Sequence, residues 1–216
     1  MPRYPIQPER SALVIFDMLN CYVHPPDAER ARAIAETGVV DACQRLIGAA
    51  RGVGLRVFYV GSSPRADGSD YPPLITDADA AAVPWPDGPR PRAKPTAVEG
   101  TPGVEVIPEL APHPEDYVMT KKRWSAFAGT PLDLTLRGLG IDTILIGGGS
   151  TDVGVTSTAY AAIDLGYHLV VVRDACFTLR PGVQAFCMDQ LFPRMGRVLT
   201  VEDVIGLLEP AEPAPS

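Results

Sequence analysis

Paired cysteines, clustered histidines and long apolar runs are all missing from this sequence. The four cysteines, Cys21, Cys43, Cys176 and Cys187, are widely spaced with no CxxC pair, and no histidine stands at a zinc-ligand spacing from them. Four buried or partly buried free thiols are therefore expected. No apolar run approaches the roughly 20 residues needed to span a bilayer, and Met1 to Glu9 is too polar for a secretory signal. A cytoplasmic chain with no membrane partner is the expectation. Basic residues are outnumbered, 19 Lys and Arg against 26 Asp and Glu, for a formal charge of -7. Binding phosphates needs clustered Lys and Arg, so this balance argues against a nucleic-acid partner.

What is present suits one globular domain. At 216 residues, 46% hydrophobic and 21% charged, the chain can bury a sizeable core. Residues 1–208 are expected to form that domain, with the Pro- and Ala-rich tail 209–216 mobile. Ala12 to Phe16 is an unbroken apolar run ending at Asp17, as in a central parallel strand covered on both faces. A loop with two prolines, Val23 to Asp27, leads into a helical pattern from about Ala28 to Arg51, with a break available at Gly38. Gly52 and Gly54 end it before a strand, Leu55 to Val60. Gly61 to Thr101, rich in Pro, Gly, Asp and Ala, predicts an ordered covering loop, since Tyr71 and Trp85 would be costly to leave in water.

Further along, the pattern predicts a strand at Tyr117 to Thr120, a helix at Leu132 to Leu139 closed by Gly140, and a strand at Thr143 to Ile146. A helix from about Asp152 to Leu165 and a strand at His168 to Arg173 come next. A helix at Gln184 to Met195 shortened by Pro193, an edge strand at Val198 to Thr200 and a last helix at Val201 to Leu208 complete the order. This alternation predicts an α/β fold: a three-layer sandwich with a central, mostly parallel sheet and helices on both faces.

In such sheets ligands bind outside the carboxyl ends of the strands. Asp17 lies at one such end, and the strand at Tyr117 delivers Lys121 to the same edge. The run Thr143 to Ile146 meets Gly147, Gly148 and Gly149, after which Ser150, Thr151 and Asp152 open a helix. The first N–H groups of that helix are unpaired and face whatever occupies the turn, which suits an anionic or polarised oxygen. Taken singly, these residues have ordinary explanations. An Asp at a strand end is commonly a loop or cap residue, Lys121-Lys122-Arg123 a solvated patch, and Trp124 with Phe127, three apart, part of the core.

Three segments together carry more. They are Ala12-Leu13-Val14-Ile15-Phe16-Asp17-Met18-Leu19-Asn20; Gly100-Thr101-Pro102-Gly103 with Lys121-Lys122-Arg123-Trp124-Ser125-Ala126-Phe127; and Gly149-Ser150-Thr151-Asp152-Val153-Gly154-Val155 with Ser157-Thr158-Ala159. In order and spacing they resemble the opening strand, lysine segment and nucleophile turn of the isochorismatase-like hydrolases, also called the cysteine hydrolase superfamily. The resemblance runs from roughly Ser11 to Leu207. It implies a catalytic aspartate at Asp17 and a catalytic lysine at Lys121, whereas Lys122 falls outside the motif. It also puts Gly154 where cysteine members carry the nucleophile, and glycine cannot do a thiolate's work. Cys176 reads as core rather than as a substitute.

The isochorismatases of that superfamily also lack the cysteine and hydrolyse a vinyl ether, with the aspartate as general acid and water adding to the oxocarbenium ion. Asp17 can act so if burial raises its pKa, against the opposing charge of Lys121. The resemblance further implies a substrate-binding surface of Trp124, Phe127, Gly149, Ser150, Thr151 and Gly154, a cis peptide at Gly149-Ser150, and a homo-oligomer. Leu19 departs from the family's frequent Gln, and Tyr160-Ala161 from its common Arg-Asp pair. The Asp-His-His metal set of nicotinamidases has no counterpart around His24, His113 or His168. The expectation is a hydrolase of a small metabolite, without metal or other cofactor. Asp17 would be its general acid or base, Lys121 the charge stabiliser and water the nucleophile, acting on a vinyl-ether or C–N bond. Two alternatives stand beside it: a catalytically silent member that binds a metabolite or protein partner, and an amidase working through Ser150 or Thr151.

Overall fold

A computed structural model describes residues 4–71 and 96–208; the expected tail 209–216, Trp85 and most of the expected covering loop lie outside these residues. The strands are β1 (Ser11–Phe16), β2 (Arg56–Ser62), β3 (Tyr117–Lys121), β4 (Thr143–Gly149), β5 (His168–Phe177) and β6 (Arg197–Leu199). They form one sheet in the order β3-β2-β1-β4-β5-β6 with every ladder parallel. Among the described residues the helices are α1 (Asn20–Val23), α2 (Ala28–Glu36), α3 (Val39–Gly52), α4 (Leu132–Gly138), α5 (Thr156–Asp164), α6 (Val183–Phe186) and α7 (Val201–Leu208). None is long and apolar enough to cross a membrane.

Alternation along each strand divides the core in two. Leu13 and Ile15 face Leu46 and Ile47 of α3 and Val204 of α7, while Ala12, Val14 and Phe16 face Leu132 and Leu136 of α4 and Val155 and Ala159 at α5. The three-layer α/β expectation therefore holds. Strand order reverses between β1 and β4, the position at which open parallel sheets leave a crevice beyond their carboxyl ends.

Several boundaries move. Gly38, at φ 70, splits the long helical pattern into α2 and α3. Asn20–Val23, next to the expected loop, forms a helical turn instead of continuing as irregular chain. The Gln184 to Met195 helix is in fact α6, a π turn at Cys187–Leu191 and a 3-10 turn at Phe192–Arg194, where Pro193 has no N–H to continue the ladder. β5 runs four residues past Arg173. Its register with β4 jumps from Ile146↔Val171 to Gly148↔Cys176, so Arg173 and Asp174 bulge outward. Arg173 then pairs with Asp189 at 2.7 Å, and Asp174 accepts the Val201 N–H at 2.8 Å. All four cysteines are free, and three of them, Cys176 included, are buried.

The larger correction concerns Gly147, Gly148 and Gly149, which end β4 instead of forming the turn after it. They are needed because the neighbouring strands β1 and β5 come close. A β-carbon on Gly148, whose φ is 117, would stand 2.0 Å from the Phe16 carbonyl oxygen, and one on Gly149 would stand 2.3 Å from the Phe177 ring. Gly148→Ala is thus expected to cost about 3 kcal/mol or more in urea unfolding, from overpacking on a strained backbone. Gly48→Ala, inside α3 with open space around it, should instead gain about 0.5–1 kcal/mol.

Candidate active site

Asp17 follows β1 directly, its N–H donating to the Val60 carbonyl at 3.1 Å. Its φ is 49, and among the described residues no other non-glycine residue has a positive φ. This left-handed geometry, which Asp tolerates better than most residues, accompanies a carboxylate held between neighbouring strands. β2 lies between β1 and β3, and its last residue, Ser62, is in register with Lys121. The Ser62 N–H donates to Asp17 Oδ1 at 2.6 Å, and the Lys121 ammonium donates to Asp17 Oδ2 at 2.8 Å and to Ser62 Oγ at 3.3 Å. Both charged residues are buried, Asp17 at 8% exposure and Lys121 at 3%.

Burial is the largest influence on the Asp17 carboxyl and raises its pKa from the ordinary 3.8; the Lys121 charge and the bonds from Lys121 and Ser62 work against it. The sequence expectation that burial must outweigh the lysine is met in direction. Burial together with the Asp17 charge pushes up the phenol of Tyr22, on α1, so it stays neutral. Burial and the same carboxylate push the Cys21 thiol up to about 11. This is the opposite of an activated nucleophile.

The remaining expected site residues scatter around this pair. Trp124 is 45% exposed and Tyr71, whose phenol feels the Asp17 charge, is half-buried, so both lie at the rim. Phe127 stacks on Tyr167 with ring centroids 5.6 Å apart and packs against the α4–α5 side of the core. Gly149 lies beneath Phe177, and the peptide it forms with Ser150 is cis. The Ser150 hydroxyl donates to Asp152, which pairs with Arg180 at 3.0 Å. Thr151 is fully buried at the start of a π turn, Thr151–Val155. Gly154 is buried against the Phe16 ring, which carries the Lys121 ammonium 4.4 Å from its centroid.

Sequence patterns did not point to Ser62, Tyr22 or Phe16. Ser62 was hidden because β2 runs two residues beyond its apolar stretch, although the small polar pair Ser62-Ser63 at a strand end was a usable signal. His24 pairs with Glu109 at 3.0 Å and His113 with Glu115 at 3.4 Å. Among the described residues no group of three or more His, Cys, Asp or Glu side chains is arranged to hold a metal.

The parallel sheet thus holds a buried carboxylate and a buried ammonium together at the carboxyl ends of its strands. Residues 11–203 match the Isochorismatase domain family, so the chain belongs to the isochorismatase family of hydrolases. It is 42% identical over 101 residues to YwoC of Bacillus subtilis, an uncharacterized isochorismatase family protein, a match of 47% of this chain and 53% of that protein. The chain thus spans about half the length of that relative. Its match to the ureidoacrylate amidohydrolase RutB of Agrobacterium fabrum is longer, 28% identical over 96% of this chain and 94% of that one. Among solved structures, a cysteine hydrolase from Pseudomonas syringae pv. phaseolicola is similar with a TM-score of 0.78 and 28% identity, covering 95% of each chain.

Followed by 13C NMR, the Asp17 carboxyl should titrate above 3.8, and Lys121→Met should move the midpoint higher still by removing the charge that favours the carboxylate. With its folded pKa raised, Asp17 contributes most to stability below its unfolded value, and that contribution is lost as pH rises through the folded midpoint.

Proposed function

We propose that the protein hydrolyses a small metabolite without a metal, with Asp17 as general acid or base, Lys121 as charge stabiliser and water as nucleophile. The carrying observation is the buried Asp17–Lys121 pair at 2.8 Å, fixed by the Ser62 N–H. Burial raises the Asp17 pKa and so favours the protonated form that a general acid needs. In vinyl-ether hydrolysis Asp17 protonates the enol-ether carbon and water adds to the oxocarbenium ion. Asp17 then recovers a proton as the hemiketal collapses to a carbonyl and an alcohol. For a C–N bond, the Asp17 carboxylate takes a proton from the attacking water while Lys121 stabilises the developing oxyanion; as the tetrahedral intermediate collapses and the C–N bond breaks, Asp17 returns that proton to the leaving nitrogen. The amidohydrolase name of RutB supports the second bond type, and glycine at position 154 supports the first. Trp124 and Tyr71 at the rim, with the Gly149–Gly154 turn, supply the surface for substrate. A homo-oligomer in the cytoplasm belongs to the same proposal.

A screen of vinyl ethers, amides and ureides should find one that raises the melting temperature and is turned over. Asp17→Asn and Lys121→Ala should each lower kcat/KM about 100-fold or more, and unchanged turnover in both would remove the proposal. Tight binding without product would point instead to a silent metabolite-binding member. If Asp17 is the acid, kcat should fall as pH rises through the Asp17 midpoint, and a rise would assign it the role of base.

A further inference from the structure

The Phe16 side chain is fully buried between two parts of the site. A β-carbon built on Gly154 would stand 2.0 Å from its Cε1, 2.4 Å from its Cζ and 3.0 Å from its Cδ1. The same ring carries the Lys121 ammonium 4.4 Å from its centroid, where the negative ring face attracts a cation. The space beside Lys121 that any side chain at position 154 would enter is therefore filled by phenyl carbon. Nor is the ring free to swing aside. Its backbone is paired with Val60 on one side and Gly148 on the other, and the ring belongs to the packed cluster of Val14, Ile146 and Val155.

We propose that Phe16 determines the reaction class of this site: its ring stands where a nucleophilic side chain at position 154 would stand, and so excludes a protein-bound intermediate there. Water is left as the nucleophile beside Asp17 and Lys121. The proposal rests on the Asp17–Lys121 site proposed above and deepens it. Glycine at 154 and phenylalanine at 16 form a complementary pair, and restoring a thiol by Gly154→Cys alone would force the ring off the ammonium.

The test needs no substrate, so a failure to find turnover leaves its readouts intact. Melting temperatures of the wild type, Gly154→Ala, Phe16→Val and the double variant form a cycle. Gly154→Ala should lose roughly 5–10 °C beside Phe16 and less than half of that beside valine. An equal loss in both backgrounds would overturn the proposal. Gly154→Cys is then labelled with iodoacetamide in the native protein, and alkylation of residue 154 is read by mass spectrometry. Labelling should be about tenfold or more faster with Phe16→Val, and adding Lys121→Met should slow it again, because the ammonium favours the thiolate. A rate indifferent to Phe16 or to Lys121 would place the thiol elsewhere and sink the idea. Insoluble Gly154→Cys rescued by Phe16→Val counts as support; if both are insoluble, the Gly154→Ala cycle decides.

Discussion

The carboxyl ends of β1 and β4 meet so closely that the carbonyl of Phe16 occupies the place of a β-carbon on Gly148, and its ring occupies the place of one on Gly154. Everything at this edge depends on that contact. Only glycines allow β4 to lie against β1 to its end, and only then can Asp17 emerge beside β2 within reach of the Ser62 N–H. The Phe16 ring, tilted to the α4–α5 side by strand alternation, forms the floor on which Lys121 rests.

On that floor an electrostatic balance is set. A carboxylate and an ammonium removed from water lose hydration, and their attraction recovers it only when the geometry is good. Here each carboxylate oxygen has a donor within 2.8 Å, yet burial still outweighs pairing in its effect on Asp17. A group in this condition exchanges a proton more readily than a surface aspartate at neutral pH, which is the property hydrolytic acid–base chemistry uses. Ser62 bonds both partners at once, its N–H donating to Asp17 and its hydroxyl accepting from Lys121.

Membership of the isochorismatase family assigns the fold without assigning a bond to be cleaved. Relatives with amidohydrolase names match the sequence along nearly the whole chain. Locally, a packed aromatic ring at the end of β1 lies against Gly154 in the following helical turn. The residue that completes the core beneath the sheet edge thus also carries the Lys121 ammonium on its ring.

The apolar run ending at Asp17 and the short strand ending at Lys121 determined, by themselves, the parallel sheet and the edge on which both charges sit, because strand patterns record burial residue by residue. The break at Gly38 was legible for the same local reason. Tertiary structure alone decided the rest. Arg173 and Asp174 read as the end of a strand, yet a bulge carries β5 past them because their side chains find Asp189 and the start of α7. The three glycines read as a turn, yet they are strand, since what demands them is the chain beside them and not the chain around them. Ser62 meets Asp17 across 45 residues and Lys121 across 59, and the Phe16 ring meets Gly154 only when β1 and β4 are adjacent. Contacts of that kind leave no period in a sequence, so the charges could be named in advance but the ring and hydroxyl that hold them could not.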